Sequence, residues 1–147
     1  AGLFAAAYAY YLEAVLGQRL LKCADPALGM TGVKALFTSM LHEPRGESLG
    51  CLITNSAIEF GAGHPEREHL ARLGLEILQQ ALLERLNAAA VAGCLRGGID
   101  PAVAAIKLVA LYQGVLVLVR AHYDKRSIQQ AIDMEFATLE ATRLGVP

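Results

Sequence analysis

Charge is scarce in this chain. Only 18% of its 147 residues are Asp, Glu, Lys or Arg, and the 13 basic residues are scattered among 14 acidic ones, for a net charge of −1. Duplex DNA calls for a clustered basic surface to neutralise its phosphates, so these residues by themselves make a poor nucleic-acid binder. Cysteine is equally sparse. Cys23, Cys51 and Cys94 are odd in number and far apart, with no CxxC and no Cys/His ligand spacing. That excludes a disulfide framework and a zinc site and fits a reducing cytoplasm. Strand signals are nearly absent. No Gly-rich phosphate loop, Ser-His-Asp arrangement or carboxylate pair stands out, so nothing calls for an enzyme, and no cofactor is implied. The opening AGLFAAAYAYYLEAV lacks the basic n-region and cleavage site of a signal peptide. Repeats, low-complexity tracts and linkers are missing too, which is the pattern of a single domain over residues 1–147.

Apolar residues dominate what remains. They make up 54% of the chain, and the mean hydropathy is +0.39. That is too apolar for disorder. It is also too apolar for a small monomer wet on every face, so one face is expected to be buried against a partner, or the fold to wrap a cavity. The only membrane-like run, Pro101 to Val119, contains Lys107 and Gln113 and is followed at once by Arg120, His122 and Asp124. A buried helix at a subunit interface explains it better than a lone span, and no membrane partner is expected.

Helical periodicity covers nearly everything else, and six helices are predicted, in an all-α bundle. They run over about residues 2–22, 31–43, 49–61, 65–95, 101–123 and 127–144. The fourth opens with Pro65 at a first helical position and Glu66 and Glu68 at the positive end of the macrodipole. Its buried stripe is Leu70, Leu73, Ile77, Leu78, Ala81, Leu82 and Leu86, with Arg72, Glu76, Gln80 and Glu84 on the wet side at i,i+4 spacing. The fifth begins with Asp100 as N-cap and Pro101 at N1. This helix is apolar almost all round and must be covered on both sides. The same helix of a second copy, packed with the sixth helix into a four-helix bundle, would cover the outer side. The expected contacts of that homodimer are Val103, Lys107, Ala110, Gly114 and Val117 from the fifth helix and Ile128, Ile132, Phe136 and Leu139 from the sixth.

One stretch breaks the apolar pattern. In LGCLITNSAIEF, Leu49 to Phe60, the polar residues Thr54, Asn55, Ser56 and Glu59 interrupt core-like neighbours. Asn and Ser are weak helix-interior residues, and a buried polar group is costly without a partner. Asn55 and Glu59 share a helix face. Either they line a cavity and bond a ligand, or Glu59 is solvated and Asn55 caps a neighbouring helix. An apolar pocket with few polar points can be drawn from Phe4 and Tyr11 of the first helix and Phe37, Met40 and Leu41 of the second. Leu73 and Ile77 of the fourth and Tyr112, Gln113 and Leu116 of the fifth complete it. The alternative for each is a filled core. Cys51 would sense redox state or electrophiles only as an exposed thiolate beside a cation, and Arg45 is its nearest cation in sequence. A plain buried cysteine is the alternative, for Cys23 and Cys94 as well. His64 and His69, near Glu66 and Glu68, read as a solvated helix terminus rather than a metal site.

Three segments, in this order and spacing, resemble the C-terminal ligand-binding and dimerisation domain of the TetR family of bacterial transcriptional regulators. AGLFAAAYAYYLE resembles the start of the helix that follows the family's DNA-binding head. GCLITNSAIE, Gly50 to Glu59, resembles a G-C-L-x-x-N-x-x-x-E signature of one subgroup. AAAVAGCLRGGIDPAVAAIKLVALYQGVLVLVRAHYD resembles the segment near the family's C-terminal end. The resemblance implies a cytoplasmic homodimer that binds a small apolar or amphipathic ligand. It also implies DNA contact only through a helix-turn-helix head that these residues do not contain, as expected of a fragment that opens just past that head. A ligand would act by shifting the population of head spacings. Two other classes remain open: a free-standing helical interaction protein without a ligand, and a small helical enzyme centred on His64 to His69.

Overall fold

A computed structural model describes residues 2–22, 28–42, 51–60 and 65–141. Among them the chain is all-α, with a lone antiparallel bridge between Leu95 and Glu140 as its only extended pairing. The first predicted helix is three segments in succession: α1 (Gly2–Tyr11), a π-helical stretch (Leu12–Gly17) and α2 (Gln18–Lys22). Then come α3 (Gly29–Ser39), α4 (Leu52–Phe60), α5 (Pro65–Val91), α6 (Pro101–Arg120) and α7 (Lys125–Leu139). The predicted ends at Glu43, Leu49, Gly61 and Leu144 lie outside the described residues.

The helix boundaries follow from local chemistry. Pro65 opens α5, with Glu66 and Glu68 in its first turn. Asp100 caps α6, its carboxylate accepting from the Ala102 N–H at 2.8 Å. Asp124 does the same for α7, accepting from the Ser127 N–H at 2.9 Å and the Ser127 hydroxyl at 2.8 Å, and these bonds hold its carboxyl below the usual carboxylate range. Past the end of α5, Gly93 and Gly98 take φ of +70° and +83°, which a side chain would resist.

The helix α5 is the centre of the packing. It meets α4 and α6 most extensively, and also α3 and α1, while α7 lies against α3 and α6. Its buried ridge is Ala71, Gly74, Leu78, Leu82, Leu86 and Ala89. Leu73 and Ile77, assigned to that stripe from sequence, lie at its outer edge, each 36% exposed, because the ridge that meets both α4 and α6 centres on the smaller Ala71 and Gly74. Small residues let backbones approach. A Cβ on Gly74 would stand 2.7 Å from the Tyr8 hydroxyl and 2.7 Å from Ile53. Phe37, Tyr112 and Phe136 stack edge-on at the centre, with ring centroids 5.6 and 5.4 Å apart.

The last helix corrects an expectation. Ile128, Ile132, Phe136 and Leu139 are buried in the protomer's own core. Their spacing makes one stripe, and that stripe is used on α3 and α6 rather than left for a second copy. The salt bridge from Lys34 to Asp133, 2.6 Å, fastens α3 to α7 and lowers the Asp133 carboxyl. By contrast Val103, Lys107, Ala110 and Val117 are exposed along α6, and Gly114 is half-buried with open space beyond its Cα. By length and composition α6 could cross a membrane, yet it is a core helix on one side, burying Ala104, Ala105, Leu108, Tyr112, Val115 and Leu116.

Candidate functional site, a buried polar seam around α4

Polar side chains concentrate where α4 meets α1, α5 and α6. Cys51 stands at the entrance of α4, its carbonyl accepting from the Asn55 N–H at 2.9 Å, and its thiol is buried. The Tyr11 hydroxyl of α1 donates to Cys51 Sγ at 3.4 Å. The Tyr8 hydroxyl lies against Ile53 and Gly74, fully buried and with no hydrogen-bond partner among the described residues. Burial first, and the nearby Cys51 second, push the Tyr8 phenol up to about 12. Burial and Cys51 raise Tyr11 as well, against a smaller lowering by Arg19. Both phenols are therefore neutral at pH 7.

On the α6 side, the Thr54 hydroxyl donates to Oε1 of Gln113, whose Nε2 finds no acceptor among the described residues. Seven positions on, Arg120 donates to Oδ1 of Asn55 at 3.1 Å. Ser56, one turn past Ile53, is 1% exposed and its hydroxyl is unpartnered among the described residues. Arg19 of α2 donates to the Tyr112 hydroxyl at 3.4 Å, so α1 and α2 are each tied by a side-chain bond to the helices that flank the seam.

The sequence-derived pocket residues divide. Tyr11, Tyr112 and Gln113 join the seam directly. Phe4, half-buried, stacks on Tyr8 at 5.9 Å and lies under Arg67 of α5. Phe37, Met40, Leu41 and Leu116 belong to the filled core beside it. Asn55 is half-buried and ties α4 to the end of α6, whereas Glu59 is exposed and Ile77 lies on the outer edge of α5. Neither reaches the seam: on α4 Glu59 turns away from the buried Ile53, and on α5 Ile77 lies beside the buried ridge of Gly74 and Leu78. Missing from that pocket were Tyr8, Arg19, Cys51, Thr54 and Ser56. Four of these carry a sequence signal, as polar interruptions in apolar helices. Arg19 carries none, because its partner is 93 residues away.

Other candidates yield less. Arg45, Cys23 and His64 lie outside the described residues. Cys94, expected to be buried, is exposed in the turn after α5, where its neighbour Leu95 takes the buried position. His69 is exposed, and among the described residues no three His, Cys, Asp or Glu side chains come together. A cleft at Leu20, Val33, Leu36, Ala81, Leu82 and Arg85 holds about 10 Å³ of free space, the room of a single water.

A solved structure with the same fold is a TetR transcriptional regulator from Chloroflexus aurantiacus J-10-fl, with a TM-score of 0.78 and 19% identity. The match covers 96% of this chain and 74% of that one. Nothing among curated proteins matches the chain. Residues 29–134 match the family described as tetracyclin repressor-like, C-terminal domain, and this spans α3 through most of α7. The chain belongs to the tetracyclin repressor-like C-terminal domain family.

Proposed function

We propose that this chain is the effector-binding and homodimerisation domain of a TetR-type transcriptional regulator, acting in the cytoplasm and without catalysis. The observation that carries the ligand half is the seam around α4. Unpartnered buried hydroxyls on Tyr8 and Ser56 sit among apolar walls, the composition of a small-molecule site. Because those groups are closed off from water, a ligand enters by parting α4 from α1 and α6. That costs the Tyr11–Cys51 and Thr54–Gln113 contacts, and the apparent affinity falls by the fraction of molecules already open.

The same motion supplies a mechanism. In a regulator of this type α1 follows the DNA-binding head. A ligand that binds the open seam better than the closed one shifts α1, and with it the spacing of two heads on the operator. Dimerisation is assigned to the outer face of α6, where Val103, Ile106 and Val117 are 63%, 58% and 51% exposed beside Ala110 and Gly114. Met134 of α7 is exposed as well, at 72%. Operator contact and its sign belong to the parent regulator. Native mass spectrometry of the purified chain tests the central claim. A dimer carrying a small organic molecule is the expected result; a ligand-free monomer that no small molecule stabilises would favour the plain interaction protein.

A further inference from the structure

The first rod holds one residue more than a straight α-helix would. In the π-helical stretch Leu12–Gly17 the backbone bonds close five residues back instead of four, so that turn contains a spare residue. A glycine closes it. A Cβ on Gly17 would stand 3.3 Å from the Leu12 carbonyl oxygen, so the widened turn leaves little room for a side chain there.

The two ends of the rod are held unequally. Beyond the π turn, Leu16 is buried, Leu20 packs against the core, and Arg19 donates to Tyr112. Before it, Tyr8 is the one buried residue of α1, and its hydroxyl has no partner among the described residues. Tyr11 is tied to Cys51 through a 3.4 Å bond to sulfur, a weak acceptor. If α2 stays in place and the π turn straightens, α1 advances by one residue. It rotates by about 100° and moves about 1.5 Å along its axis. Each inward position then passes to the next residue: Ala5 replaces Phe4, Ala9 replaces Tyr8, and Leu12 replaces Tyr11. All three are apolar, and α1 contains no charged residue, so the rotation buries no charge of α1. Alanines in place of two rings open space against Ile53 and Gly74, the groups that the Tyr8 hydroxyl touches. Left empty, that space favours the observed register; filled by an apolar body, it favours the other.

We propose that the Leu12–Gly17 turn is a register switch, which straightens to rotate α1 by one residue and draw Tyr11 off Cys51 while Arg19 keeps α2 on α6. Resting on the ligand-domain assignment above, this is how an effector would move the segment that follows the head. The test transplants the register. Tyr8→Ala should lower the urea midpoint or unfold the chain. Adding Ala9→Tyr supplies the ring to the straightened register and should restore at least about half of the loss, or the fold itself. Deleting Glu13, exposed in the π turn, removes the spare residue while Tyr8 and Tyr11 keep their places, so that chain should fold with a midpoint near the parent's. In it Ala9→Tyr should rescue nothing. An unfolded Glu13 deletion, a Tyr8→Ala chain as stable as the parent, no rescue by Ala9→Tyr, or equal rescue with and without Glu13 would each overturn the switch. None of these outcomes bears on the ligand-domain assignment, which native mass spectrometry decides separately.

Discussion

A hydroxyl sealed from water without a partner costs folding free energy, and Tyr8 and Ser56 each carry one. Tyr8→Phe keeps the ring and deletes the cost, so it should raise stability at pH 7 by about 1 kcal/mol in urea denaturation. The pH dependence has a definite sign. Below about pH 10 both folded and unfolded chains hold the Tyr8 proton, and stability is level. Between there and the folded value of about 12 the unfolded chain sheds a proton that the folded chain keeps, so stability falls as pH rises. Denaturation midpoints taken across that window should decline, and Tyr8→Phe should flatten part of the decline, with the raised Tyr11 supplying the rest. Gly74 is a second sensitive point. Ala there gains about 1 kcal/mol of helix propensity but forces its Cβ onto the Tyr8 hydroxyl and Ile53, both 2.7 Å away. Overpacking of about 1–3 kcal/mol should win, and a midpoint at or above that of the parent chain would show that α4 and Tyr8 yield without strain.

Among the elements, the first rod differs most from its sequence pattern. Periodicity predicted one α-helix over 2–22, and the π-helical stretch Leu12–Gly17 lies inside it. Such insertions are frequent at functional sites, and this one separates Tyr11, which bonds α4's entrance, from Arg19, which bonds α6. Nothing in the spacing of apolar residues announces it, because apolar side chains occur on every face of this helix. The end of α7 is secured differently. Arg96 donates from its backbone to Leu139 O at 2.8 Å and from its guanidinium to Ala137 O at 2.9 Å and Glu140 O at 3.4 Å. These carbonyls are the orphans of a helix C-terminus, and a cation there also complements the macrodipole. Arg96→Ala should cost on the order of 1 kcal/mol, with hydrogen exchange accelerated first in the last turn of α7. Uniform acceleration across the chain would instead place Arg96 in the global core.

For the whole molecule, the open question is what covers the outer face of α6. The exposed Val103, Lys107, Ala110 and Val117 and the half-buried Gly114 recur along it at three- and four-residue steps, the seam of two helices crossing at a shallow angle. Lys107 is drawn to Glu135 of α7 at 2.8 Å, at the border of that face. Among the described residues, no atom beyond the glycine's own stretch of helix lies within 4 Å of a Cβ built on Gly114. Gly114→Trp should therefore leave the protomer folded, and even gain helix propensity, while weakening a dimer by at least about tenfold through its bulk. Sedimentation at micromolar concentration should resolve the two species. A dimer of unchanged affinity would move the contact elsewhere on the surface.

Local chemistry written in the sequence determined much of this protein. Period, proline and caps placed α5 and α6, and the Asp100–Pro101 start is as expected, since each depends on neighbours within a turn. The polar interruption at Thr54 to Ser56 was legible for the same reason. Tertiary structure decided the rest. Which side of α7 meets its own core, and that Glu59 and Ile77 turn outward while Tyr8 and Ser56 turn in, depends on how α4 and α7 rotate against α5 and α3. The pairings Tyr11–Cys51, Arg19–Tyr112 and Thr54–Gln113 join residues 40, 93 and 59 positions apart. No periodicity reaches that far, and only packing brings such groups to one seam.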